Sequence, residues 1–156
     1  MAEVPPRARQ PQAVLFAFGQ NSVRSPMAES LLRQMFPQAV YVRSAGVKKG
    51  ELDPFAVSVM AELGQDISQH KPTTFEELED WEGLNFDLII TLSPEAHHKA
   101  LELTRTIAAD VEYWPTPDPT TTDGNRAQKL AAYREVCDGL FARIRKRFAK
   151  PGPAGL

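Results

Sequence analysis

Cysteine is nearly absent from this chain: Cys137 is the single one in 156 residues. One thiol excludes an intramolecular disulfide, a thiolate metal cluster and a two-cysteine redox relay within the chain. Long apolar runs are also missing. None approaches the ~20 residues needed to span a bilayer, and the opening "MAEVPPRARQPQ" lacks the apolar stretch of a secretory signal. Nor is there an excess of charge of one sign. A formal net charge of −2 provides no overall basic field to draw in nucleic acid or an anionic membrane. These absences lead to the expectation of a cytoplasmic protein with neither nucleic-acid nor membrane partners. The three histidines, His70, His97 and His98, have no metal-ligand spacing. The adjacent pair would point about 100° apart on a helix. All three are expected at the surface or at helix starts, and no metal or cofactor is implied.

What is present suits one globular domain: 42% hydrophobic and 24% charged residues are ordinary for a single core of this length. Residues 1–12, rich in Pro, Arg and Gln, and the Pro/Gly segment 150–156 read as disordered tails around a domain over 13–149. Four apolar runs read as strands: Ala13–Phe18, Val40–Ser44, Phe86–Leu92 and Val111–Trp114. "FDLIITL", apolar on nearly every residue from Leu88, predicts a strand covered on both faces, as in a parallel sheet. Helices with explicit punctuation lie between them. Asp53 is an N-cap before Pro54, with Gly64 as a left-handed stop. Ser93 and Pro94 repeat that start, and Thr74 with Glu77 forms a capping box. The last helix carries Leu130, Tyr133, Cys137, Leu140, Phe141, Ile144 and Phe148 as an apolar stripe. Arg143, Arg145, Lys146 and Arg147 at its end suit the helix dipole and solvent. The alternation predicts an α/β fold: a three-layer αβα sandwich around a four-stranded parallel sheet. Ligands in such folds gather at the carboxyl ends of the strands.

The loop after the first strand is placed at that end. In "AVLFAFGQNSVRSPMAES", backbone N–H groups wrapping a helix N-terminus form a nest for a tetrahedral oxyanion. Gly19 permits unusual backbone angles and Asn21 tolerates left-handed ones. Arg24 can fork onto two phosphate oxygens. Ser25 can cap the helix or donate into the loop, and Pro26 begins a helix with Met27, Leu31 and Met35 inward. A plain structural turn remains the alternative on spacing alone.

Taken with "VRSAG" at 42–46, "DPFAVSVMAELGQDISQH" at 53–70, "FDLIITL" at 86–92 and the Asp-Pro of "PTPDPTTTDG", this loop resembles the low molecular weight protein tyrosine phosphatases and their arsenate reductase relatives. The likeness extends over roughly residues 13–148. It implies a phosphate-binding loop of Gly19, Gln20, Asn21, Ser22, Val23, Arg24 and Ser25. In that loop Asn21 would hold the shape, Arg24 would bind phosphate, and Ser25 would match the hydroxyl that stabilises a thiolate. Asp118 falls at the general-acid position. The nucleophilic cysteine of that pattern falls on position 18, where this chain has Phe18.

A benzyl group has no lone pair to attack phosphorus and no proton to lose, so the resemblance implies that the covalent phosphocysteine route is closed. No other group substitutes. Cys137 lies on the stripe of the last helix and reads as a buried small hydrophobe. Ser22 and Ser25 lack an evident base. Arsenate reduction, which in the related branch needs further cysteines, is excluded by the same count. Without a nucleophile, Asp118 reads equally as a turn residue before Pro119. "TTT" at 120–122 stands where the family has tyrosines. Phe18 either projects into the cradle and gives Arg24 an aromatic face to stack on, or turns into the core and leaves the cradle open. Occlusion is the expected outcome.

The expected function is therefore a catalytically inactive, phosphatase-like protein acting by binding or regulation. The alternatives are a phosphotyrosine or phosphate monoester phosphatase whose nucleophile cysteine has been substituted at position 18, and a non-catalytic reader of phospho-ligands. The expected partner is another protein or a second copy of the chain, with a phosphate-type anion at Arg24 as a further candidate.

Overall fold

The computed structural model describes residues 11–19 and 23–148. Four strands form one sheet: β1 (Ala13–Phe18), β2 (Tyr41–Gly46), β3 (Leu88–Thr91) and β4 (Asp110–Tyr113), in the order β2-β1-β3-β4. Every pairing is parallel, with Phe18 opposite Gly46, Ala17 opposite Thr91, and Thr91 opposite Tyr113. All carboxyl ends therefore share one edge. The chain reverses its direction of growth across the sheet at β1, which places the loop after β1 at the point where ligands bind in open α/β sheets.

Alternation along the strands divides the core in two. Val14 and Phe16 of β1 join Leu88 and Ile90 of β3 on one face, while Leu15, Ala17 and Ile89 point to the other. The first face is covered by α1 (Arg24–Met35), α2 (Pro54–Glu62) and α5 (Arg126–Phe148), and the second by α3 (Phe75–Glu82) and α4 (Pro94–Leu103). This is the expected three-layer sandwich, and it explains why "FDLIITL" shows no polar alternation. No helix among the described residues is long and apolar enough to cross a membrane.

The caps act as their sequences suggest. Asp53 accepts from the Phe55 amide, Ser93 from Ala96, and Thr74 with Glu77 closes a reciprocal capping box. Gly64 ends α2 with φ 76°. Other expectations need correcting. Residues 11 and 12 belong to the domain: Pro11 is buried, the Gln12 amide donates to Asp87 Oδ2 at 2.9 Å, and its carbonyl accepts from Tyr41. The rest of the expected tails, residues 1–10 and 150–156, lies outside the described residues, as does residue 149. On α5 the buried stripe contains Val136, whereas Phe141 is 42% exposed. Strict three-and-four spacing from Tyr133 leads through 136, 137, 140 and 144, and 141 sits on the flank. Met35 is only half-buried, while Met27, Leu31 and Leu32 face the core.

Candidate functional site

The site is organised by β1, α1 and the segment after β4. β1 ends at Phe18, whose carbonyl accepts from Val47, and the Gly19 carbonyl accepts from Lys48 at 2.7 Å. The mouth is thus tied to the strand beside it. Gly19 lies outside the left-handed region, so its backbone freedom is not used as expected. A Cβ at Gly19 would lie 4.0 Å from Glu95 Oε2, so a carboxylate from the first turn of α4 stands at the mouth. Gln20, Asn21 and Ser22 lie outside the described residues.

α1 begins at Arg24, one residue before the expected cap. Its N-cap position is Val23, which offers no side-chain hydrogen bond, and Ser25 is fully buried inside the first turn. Arg24 is 8% exposed. Its guanidinium carbon lies 3.4 Å from the centroid of the Phe18 ring, a close cation–π stack. Nη1 donates to the Thr116 carbonyl at 2.6 Å, and Nη2 is 3.8 Å from Asp118 Oδ2. Nε is buried with no hydrogen-bond partner among the described residues. Burial pushes the Arg24 pKa down to about 10, against the opposing pull of Asp118. The group keeps its charge at neutral pH.

Asp118 carries out the turn role together with the ionic one. Its Oδ1 accepts from the Thr120 amide at 2.9 Å and from the Thr120 hydroxyl at 2.6 Å, capping the short turn Pro119–Thr121. Its other oxygen faces Arg24. Phe18, Gly19, Arg24, Ser25 and Asp118 are therefore gathered at one end of the sheet. Cys137 is elsewhere: it is buried on α5 with its sulfur 3.8 Å from Met60 Sδ, and burial pushes its thiol up to about 11.

Among the histidines, His98 is exposed beside Glu102. His97 departs from the expectation of a simple surface residue. Its Nδ1 is 3.0 Å from Thr91 Oγ1, and its ring stacks on Tyr113 at 4.9 Å. Sequence reasoning also missed Thr116 and Glu95. Thr116 contributes a backbone carbonyl, which no side-chain pattern reveals. Glu95 was within reach, because a Ser-Pro helix start directly after a strand puts its third residue at the sheet's carboxyl edge.

This fold and this arginine-centred loop define a phosphatase-type α/β domain. The chain belongs to the family described as low molecular weight phosphotyrosine protein phosphatase, whose model matches residues 13–150. It is 34% identical over 142 residues to an arsenate reductase of Bacillus licheniformis, spanning 90% of this chain and 97% of that protein. The crystal structure of an arsenate reductase from Archaeoglobus fulgidus is similar at a TM-score of 0.66 and 26% identity, covering 88% of this chain and 99% of that one. A low molecular weight protein tyrosine phosphatase from T. tengcongensis matches at a TM-score of 0.69 and 25% identity, over 86% and 96% of the two chains.

Proposed function

We propose that this chain is a catalytically inactive member of its family, acting by binding or regulation, with Phe18 at the position of the nucleophile. The observation that carries this reading is the stack of the Arg24 guanidinium on the Phe18 ring at 3.4 Å. The aromatic ring offers no nucleophile, and it covers a flat face of the guanidinium, whose in-plane N–H fork is the edge that would meet an oxyanion. Thr116 takes one of the fork's donors at 2.6 Å. Asp118 is engaged in capping a turn, and Glu95 adds a second carboxylate at the mouth, which opposes an incoming anion. Cys137 supplies no substitute, since a buried thiol raised to about 11 stays protonated at neutral pH.

The test is hydrolysis of an aryl phosphate by the pure protein, with Arg24→Ala as control. No activity above the control is expected. Turnover that Arg24→Ala abolishes would defeat the proposal. Phe18→Cys measures how much of the site survives: activity in that variant would mean that a single residue separates this chain from a working phosphatase.

One observation favours a second reading, a reader of phospho-ligands. Arg24 Nε is buried without a partner among the described residues, a state that ordinarily costs about 1–3 kcal/mol. Titration with inorganic phosphate and a phosphotyrosine peptide, followed through the amides of Gly19 to Ser25, separates the two. Saturable shifts support the reader, and silence at millimolar ligand supports the closed socket.

A further inference from the structure

A second feature lies along the 115–119 segment, whose Thr116 and Asp118 also meet Arg24. A cavity of about 450 Å³ opens between this segment and α5. Pro115, Pro117 and Pro119 form one wall, and Val136, Leu140 and Gly139 form the other. Glu135 and Arg143 also line it, one on either side of Gly139 along the helix.

Gly139 is the unexpected member. Among residues other than proline, glycine is the least favourable inside a helix, and this one lies well within α5. Packing within the chain does not require it, because a Cβ placed there would meet nothing within 4 Å. The missing side chain keeps the floor of the groove open toward the outside. The flanking charges are also unspent. Glu135 and Arg143 are both exposed, and neither has an ion-pair partner among the described residues. Arg143 has only a distant approach to the Trp114 ring, at 5.9 Å. Eight residues apart, they are separated by about 12 Å along the axis and cannot pair with each other.

Their placement is symmetric. Glu135 stands four residues before Gly139, and Arg143 four residues after it. Two copies of α5 crossing antiparallel at Gly139 would set each Glu135 against the partner's Arg143, twice, under one two-fold axis. An antiparallel pair opposes Glu135 and Arg143 with unlike signs, whereas a parallel pair would set each against its own like charge. Ala142, exposed on the turn after Gly139, keeps the approach low.

We infer that the α5 face around Gly139 is a docking surface for a second copy of this chain, with Glu135 and Arg143 exchanging ion pairs across a two-fold axis. The residues that carry the pairing, Glu135, Gly139 and Arg143, are not among the described partners of Arg24.

The experiment is sedimentation velocity of the full chain from micromolar to millimolar concentration. A reversible monomer–dimer equilibrium is expected. Gly139→Leu should abolish it with an unchanged far-ultraviolet circular dichroism spectrum, because the added side chain enters the crossing and not the core. Glu135→Arg and Arg143→Glu should each weaken association by more than about tenfold, since the two-fold doubles every like-charge contact. Combining the two reversals should restore it. That restoration also covers the case in which Gly139→Leu disturbs the fold. A chain that stays monomeric throughout overturns the inference, as does a dimer indifferent to these variants or a double reversal that fails to recover. A monomer whose Val136 and Leu140 amides shift on adding a small apolar compound would assign the groove to a ligand instead, and equally overturn it.

Discussion

Arg24 and Thr116, 92 residues apart in sequence, are joined by one 2.6 Å hydrogen bond from a guanidinium nitrogen to a carbonyl. With Phe18 under its plane and Asp118 beside it, the arginine fastens the segment after β4 to the end of β1. A hydrogen bond from a buried charged group contributes about 1.5–3 kcal/mol. Arg24→Ala should therefore lower stability by about 2 kcal/mol and speed amide exchange around Thr116. Arg24→Lys should recover only part of this, because an ammonium has neither the planar face nor the fork. An unchanged urea midpoint in Arg24→Ala would show that the tether bears no weight.

Two glycines should respond in opposite ways to the same substitution. Gly64 has φ 76° with no atom near its would-be Cβ, so Gly64→Ala meets only backbone strain and should cost about 1–2 kcal/mol. Gly139, with equal room but inside a helix, should gain about 0.5–1 kcal/mol as alanine. Thermal melts of the monomeric protein at low concentration check both signs at once.

Stability should fall between about pH 9 and 11. Burial foremost, with Asp138 and Glu62 acting in the same direction, raises the Cys137 thiol from 9.0 to about 11. In that window the unfolded thiol has lost its proton while the native one keeps it. The native state then binds more protons, and stability declines as pH rises. Below the window the contribution is constant. Tyr133, raised by burial and by its hydrogen bond to Asp53, adds to the decline in the same sense. Cys137→Ala isolates the thiol: it should destabilise at neutral pH through the lost contact with Met60, and its deficit should shrink by on the order of 2 kcal/mol across the window. A deficit independent of pH would contradict the raised thiol.

The capping box on α3 offers a local test. Thr74 accepts from the Glu77 amide at 3.1 Å, and Glu77 accepts from the Thr74 amide at 3.2 Å. Thr74→Ala should cost about 1 kcal/mol. Because the two halves form one motif, adding Glu77→Ala should cost less than it does alone.

Local chemistry explains which parts of this molecule were legible in the sequence. Asp53, Thr74, Ser93 and Gly64 act within a few residues of themselves, so their roles follow from adjacent letters. The first strand was read to its last residue because Phe18 is followed by a loop. β3 is shorter than its apolar run, since Phe86 packs on the second core cluster ahead of the strand. At the site, the position of Arg24 was legible from a family pattern. What it touches was not, because Thr116 is distant in sequence and offers a carbonyl that any residue carries. Pro11 and Gln12 read as tail by composition, yet Pro11 is buried and Gln12 is held by Asp87, just ahead of β3, and by Tyr41 of β2.

The order of the strands has a consequence for synthesis. β1 is made first but sits between β2 and β3, so its second edge stays bare until the chain has been extended through Thr91. The apolar faces of α1 and α2 wait longer. Met27, Leu31 and Met60 share a cluster with Tyr133, Cys137, Leu140 and Ile144, all contributed by α5. A nascent chain lacking α5 therefore carries an open sheet edge and an uncovered helical face, the two features that make partly folded chains adhere to one another. Folding of this domain is consequently a late event on the ribosome, and α5 is the segment whose arrival closes it.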